Sequence, residues 1–135
     1  MSIVFSPAVV SDRLQALTRA LDADSDAGQL LIYSGAQPSA GDVPAGDLLI
    51  ALSFSKPSMS GISGGVLTLS NPAPEFVAIS GIATWGRLTD GAGAWVADVS
   101  VGAQGSGAVF EINQPTTQLY AGAELTVTVA TLTEA

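Results

Sequence analysis

Leu125-Thr126-Val127-Thr128-Val129 decides the fold. Its apolar residues occupy alternate positions with threonines between them, the period of two that a strand with one buried face requires. Thr and Val also suit a pleated surface. Working outward, related apolar runs bounded by turn residues lie at Leu30 to Tyr33, Leu48 to Phe54, Val66 to Leu69, Val77 to Leu88, Ala94 to Val101 and Ala108 to Ile112. Asp90-Gly91-Ala92-Gly93 separates the run carrying Trp85 from the run carrying Trp95, and so short a glycine-containing loop predicts a hairpin. After it, Trp95, Ala97, Val99 and Val101 share one face by alternation while Asp98 and Ser100 take the other. Trp85 and Trp95 are both expected in the core, because each sits in an alternating apolar strand.

One stretch keeps a different period. Val10, Leu14, Leu17 and Leu21 are spaced at i, i+4, i+7 and i+11, a single helical stripe. Ser6 or Ser11 can cap its start, Pro7 suits the first turn, and Gly28 follows its end. Seven short strands after one helix predict a mainly β chain, an antiparallel β-sandwich or jelly-roll-like domain with an N-terminal helix. Residues 1–28 form the arm and helix and residues 29–135 the β-body of a single domain. Gly35 to Gly46 is the longest loop, and Asn71-Pro72-Ala73-Pro74, residues 102–107 and Asn113-Gln114-Pro115 mark further turns.

Composition narrows the chemistry. The 135 residues include no Cys and no His, which removes thiolate and imidazole from any nucleophilic, acid–base or metal-binding role. Four Lys plus Arg stand against 12 Asp plus Glu, a net charge of −8, so the field repels a phosphate backbone and no direct nucleic-acid partner is expected. No basic n-region and no apolar run of bilayer length is present, so neither a signal peptide nor a membrane span is expected. Mean hydropathy is +0.44 with only 12% charged residues, a surplus of apolar side chains that points to subunit contacts.

Three constellations invite a chemical reading. Asp22, Asp24 and Asp26 alternate as calcium ligands can, but a twelve-residue calcium loop starting at Asp22 would need Gly where Ala27 stands and Glu where Tyr33 stands. The run therefore reads as a solvated helix end, with no metal. Asp90, Asp98 and Glu111 are the acids a glycosidase would need in pairs; they lie in turns or on polar strand faces, where no burial is expected to shift their pKa values. Gly61-Ile62-Ser63-Gly64-Gly65 precedes neither a helix nor a lysine, and reads as a turn rather than a phosphate cradle. No catalytic residue and no cofactor site emerge. Tyr33, Trp85, Trp95 and Tyr120 could stack on a sugar if exposed. Arg87 either pairs with an acid of its own chain or contacts a neighbouring subunit.

After the helix come, in order, residues 28–38 (GQLLIYSGAQP), residues 47–57 (DLLIALSFSKP), Gly64-Gly65-Val66-Leu67-Thr68, residues 81–87 (GIATWGR) and residues 121–127 (AGAELTV). This order of segments resembles a family of small virion structural proteins of tailed bacteriophages and prophages. The resemblance implies a non-enzymatic role in the virion, assembled in the bacterial cytoplasm, as a capsid decoration or head–tail junction subunit that contacts other virion proteins and copies of itself. The alternative is a tail or fibre module that binds host glycan. Ile3, Val4 and Phe5 precede the helix, and apolar residues at a terminus call for a cover. With Val10 on the helix and Arg87 on its strand, they are the candidate partner contacts.

Overall fold

A computed structural model describes residues 3–133. Helix α1 (Pro7–Leu21) starts as Ser6 Oγ accepts the Val9 N–H at 3.3 Å, with Pro7 in the first turn, so Ser6 rather than Ser11 is the cap. Leu14, Thr18 and Leu21 form its buried stripe. The strands follow as β1 (Gln29–Tyr33), β2 (Leu48–Ser53), β3 (Met59–Ser63), β4 (Val66–Leu69), β5 (Glu75–Phe76), β6 (Gly81–Ile82), β7 (Trp85–Thr89), β8 (Trp95–Gly102), β9 (Phe110–Ile112), β10 (Gln118–Leu119), β11 (Glu124–Leu125) and β12 (Val127–Thr133).

Eight of them make one curled sheet in the order β2-β1-β7-β8-β9-β12-β4-β3, antiparallel except for the parallel pair β8–β9. Pairs β10–β6 and β11–β5 complete the chain as two short ribbons. The mainly β, sandwich-like domain with one N-terminal helix is thus as the sequence indicates. The core joins Leu30, Ile32, Leu52, Leu88, Val101, Phe110, Ile112 and Val127 with Leu14 and Leu21 of the helix. The Phe54 and Phe110 rings meet inside it at 6.0 Å.

Three strand assignments need correction. Leu125 to Val129 is not one strand: Leu125 ends β11 in a ribbon, Val127 opens β12 in the large sheet, and Thr126 lies between them. Val77 to Leu88 is not one strand: β6 ends at Ile82 and β7 starts at Trp85, because Ala83 and Thr84 turn aside to bond Thr117 O and Tyr33 O. Met59–Ser63 is a strand although it lacks strong apolar alternation; it exists by pairing with β4 across a turn in which Gly64 and Gly65 adopt φ of +57° and +77°. That left-handed pair is what a two-residue hairpin demands and glycine supplies without strain.

Trp95 is not in the core. It is 47% exposed, whereas Trp85 is 1% exposed. The cause is a bulge: Leu88 faces Ala97 but Thr89 faces Trp95, leaving Val96 as an extra residue in β8. One added residue moves a side chain to the opposite face, so alternation counted from Val99 assigns Trp95 to the wrong side.

Candidate functional site

The N-terminal arm lies in the open. Ile3 is 73% and Val4 92% exposed, and Phe5, 43% exposed, has the Arg13 guanidinium 4.5 Å from its ring centroid. Phe5, Pro7, Val10 and Ser11 line a groove of about 290 Å³ whose far wall is the Gly64-Gly65 turn. Phe5 and Val10, both named from the sequence, therefore meet at one surface. Arg87 stands elsewhere.

On the outer face of β7 and β8, Arg87 and Asp98 sit directly opposite each other. Arg87 Nε donates to Asp98 Oδ1 at 2.8 Å and a terminal nitrogen donates to Oδ2 at 3.2 Å, a two-pronged ion pair whose side chains are 11% and 5% exposed. Trp95 Nε1 donates to the same Oδ1 at 3.0 Å. Arg87 also donates to the Asp42 carbonyl at 2.7 Å, and its guanidinium carbon lies 5.4 Å from the Trp85 ring, which stacks on Tyr33 at 4.8 Å. Of the two roles open to Arg87, the structure shows the pairing within its own chain.

The loop between β1 and β2 closes over this cluster. Its neck is tied by Ser34 N–H to Asp47 O at 3.1 Å and by Asp47 N–H to Ser34 Oγ at 3.0 Å. Asp42 and Gly41, near its tip, reach Arg87 and the Trp95 ring. Burial resists ionisation of Asp98, but the hydrogen bonds from Arg87 and Trp95, the Arg87 charge and the Gly41 N–H prevail and hold its carboxyl below the ordinary aspartate range. The expectation that this acid escapes burial is corrected. The Arg87 pKa is raised by the hydrogen bond to Asp98, against burial.

Other acids hold loop backbone, Asp90 and Glu111 close by in the chain and Asp22 in the distant segment before β3, so Asp22 is not simply part of a solvated helix end. Asp90 Oδ1 accepts from the Ala92 and Ala94 N–H groups at 2.9 Å each, and the Glu111 carboxylate accepts from Gly105 at 2.8 Å and Gly107 at 3.0 Å. Asp22, at the helix C-cap, accepts the Ser58 N–H on both oxygens at 3.2 and 3.1 Å, while Asp24 accepts from the Asp26 N–H at 3.0 Å. Among the described residues no three acids gather into a cation site, and no helix is long and apolar enough to cross a membrane. Tyr120 is 65% exposed. Comparison with protein families, with characterised proteins and with solved structures finds no match for this chain.

Proposed function

We propose that this chain is a non-enzymatic structural subunit of a tailed-phage virion, a capsid decoration or head–tail junction component that works through subunit contacts. The observation that carries the assembly role is the arm: Ile3 and Val4 are displayed at 73% and 92% exposure beside an apolar groove lined by Phe5 and Val10. Apolar surface of that kind gains free energy when a partner covers it, at roughly 25 cal/mol per Å² removed from water. The virion assignment rests on the resemblance of the segments quoted above.

Mass spectrometry of gradient-banded, salt-washed particles of the phage encoding the chain is the test. The proposal expects the chain at a stoichiometric copy number, and its absence from the particles overturns it. Trp95 favours one second reading, a tail or fibre module that binds glycan, because a half-exposed indole offers a ring face to a sugar. Under that reading Trp95→Ala abolishes adsorption of particles to cells while leaving particle assembly intact.

A further inference from the structure

One rim of the large sheet is open. Its outer strands are β2 and β3. The rim of β2 is taken by its own chain, since Leu49 O accepts the Ala78 N–H at 2.9 Å and Ser53 O accepts the Ala73 N–H at 3.2 Å. Strand β3 pairs with β4 on one side and, among the described residues, with no strand on the other. Ser63 and Val66 flank the two-residue Gly64-Gly65 turn, the hydrogen-bonded position of a hairpin, and Gly61 and Thr68 are the next such pair. The alternation of an antiparallel ladder therefore turns the Ile62 N–H and C=O away from β4, toward the open rim. The Ile62 side chain packs on the core while Ser60 and Ser63 are exposed, and a Cβ at Gly61 would meet nothing within 4 Å. The rim thus offers backbone to a strand without any core side chain having to move.

Unpaired strand backbone is matched by another extended strand, and sheets commonly guard against that with charge or proline along the edge. Residues 59–63 carry neither. A bulge at Ser60 interrupts the strand early, and Gly61-Ile62-Ser63 stays regular beyond it. Residues 57–74, with the β3–β4 hairpin among them, are the longest run of the chain without Asp, Glu, Lys or Arg. A patch that meets its own copy doubles whatever charge it carries, and in a chain of net charge −8 this hairpin brings none. We infer that β3 pairs antiparallel with β3 of a second copy, about a two-fold axis through Gly61-Ile62-Ser63, and joins the two large sheets into one. The contact uses the same patch on both copies, so it closes at a dimer. It rests on the assembly reading, to which it adds the partner and the face that meets it, and makes no use of the virion assignment.

Sedimentation of the full chain from about 1 µM to about 1 mM, with amide hydrogen exchange followed by NMR at both ends of that range, tests the inference. Wild type passes from monomer to dimer and goes no further, and added salt does not weaken the dimer, because no ion pair holds it. The Ile62 amide is protected at least tenfold more in the dimer than in the monomer, since the rim is then paired. Ile62→Pro deletes that outward N–H and no bond to β4, the placement at which a sheet tolerates proline, and is monomeric throughout. If it fails to fold, two variants at the open Gly61 position decide. Gly61→Glu and Gly61→Lys each weaken self-association about fivefold by setting like charges near the axis, and their equimolar mixture forms heterodimer above the statistical half. Wild type that stays monomeric, a dimer whose Ile62 amide gains no protection, species larger than a dimer, a folded Ile62→Pro that still dimerises, or a mixture at the statistical half overturns the inference. A chain that is monomeric in solution yet present in particles overturns the edge pairing alone; a chain that dimerises through β3 but is absent from particles overturns the virion role alone.

Discussion

Trp95 donates its indole N–H to Asp98 Oδ1 at 3.0 Å, although they stand three positions apart and a regular strand would point them to opposite faces. The bulge at Val96 brings them together. It gives Asp98 a second donor beside Arg87 and leaves the rest of the indole against Gly41 and solvent, so close that a Cβ added at residue 41 would stand 3.4 Å from the ring.

The two tryptophans should consequently behave very differently on truncation. Trp85→Ala should cost about 3 to 5 kcal/mol, the range for a buried aromatic, since it empties the space between Tyr33 and Arg87. Trp95→Ala should cost about 1 kcal/mol, mainly one hydrogen bond to a carboxylate that keeps Arg87. Urea unfolding of both variants checks this, and equal losses would mean that Trp95 is packed as deeply as Trp85.

Acid should loosen the outer cluster before it unfolds the core. The folded pKa of Asp98 is depressed, so its stabilisation is complete above the ordinary aspartate value of about 4 and is lost as pH falls toward and through the lower folded value. The expected outcome is a change in Trp95 fluorescence in that acid window. Asp98→Asn should remove this dependence, because the amide does not titrate there, and should weaken the hold of Arg87 on the loop carbonyl of Asp42.

Glycine positions offer a sharper test of packing. A Cβ at Gly91 would stand 2.2 Å from Asp26 O, a backbone atom, whereas a Cβ at Gly61 meets nothing within 4 Å. Gly91→Ala should therefore force the β7–β8 turn away from the linker that follows α1 and cost more than about 2 kcal/mol by overpacking. Gly61→Ala should be neutral or stabilising by about 0.5 kcal/mol, since Gly61 has no positive φ and alanine lowers unfolded-chain entropy. Thermal melting of the two variants should move in opposite senses or differ by several degrees.

Asp22 should matter for stability and not for metal. Asp22→Ala leaves the buried Ser58 without its carboxylate acceptor and should cost about 1 to 3 kcal/mol. Asp24→Ala, which removes a local turn contact between exposed groups, should cost well under 1 kcal/mol. Adding Ca²⁺ to the wild-type chain should leave its melting temperature unchanged, and a rise abolished by Asp22→Asn would contradict the structural role of the carboxylate.

What the sequence determined by itself is the local order: Leu125 to Val129 as a run with period two, the stripe from Val10 to Leu21 as a helix, and Asp90 to Gly93 as a hairpin turn. Each is set by side-chain spacing or by the backbone freedom of a few residues, and both act over distances shorter than one element. Even there, Thr126 falls between β11 and β12, since the run is divided between a ribbon and the large sheet. The face Trp95 takes, the partner of Arg87, the strand at Met59–Ser63 and the division of Val77 to Leu88 were decided by tertiary structure alone. A bulge exists only relative to the strand opposite, and a weakly patterned edge strand holds its place by hydrogen bonds to its neighbour. The burial of Asp98 likewise comes from a loop 50 or more residues earlier in the chain, whose Gly41 reaches it and whose Asp42 carbonyl reaches its partner Arg87 by folding across the sheet. Contacts at such separation leave no periodic trace, because the alternation of a strand encodes which residues share a face and not what will cover that face.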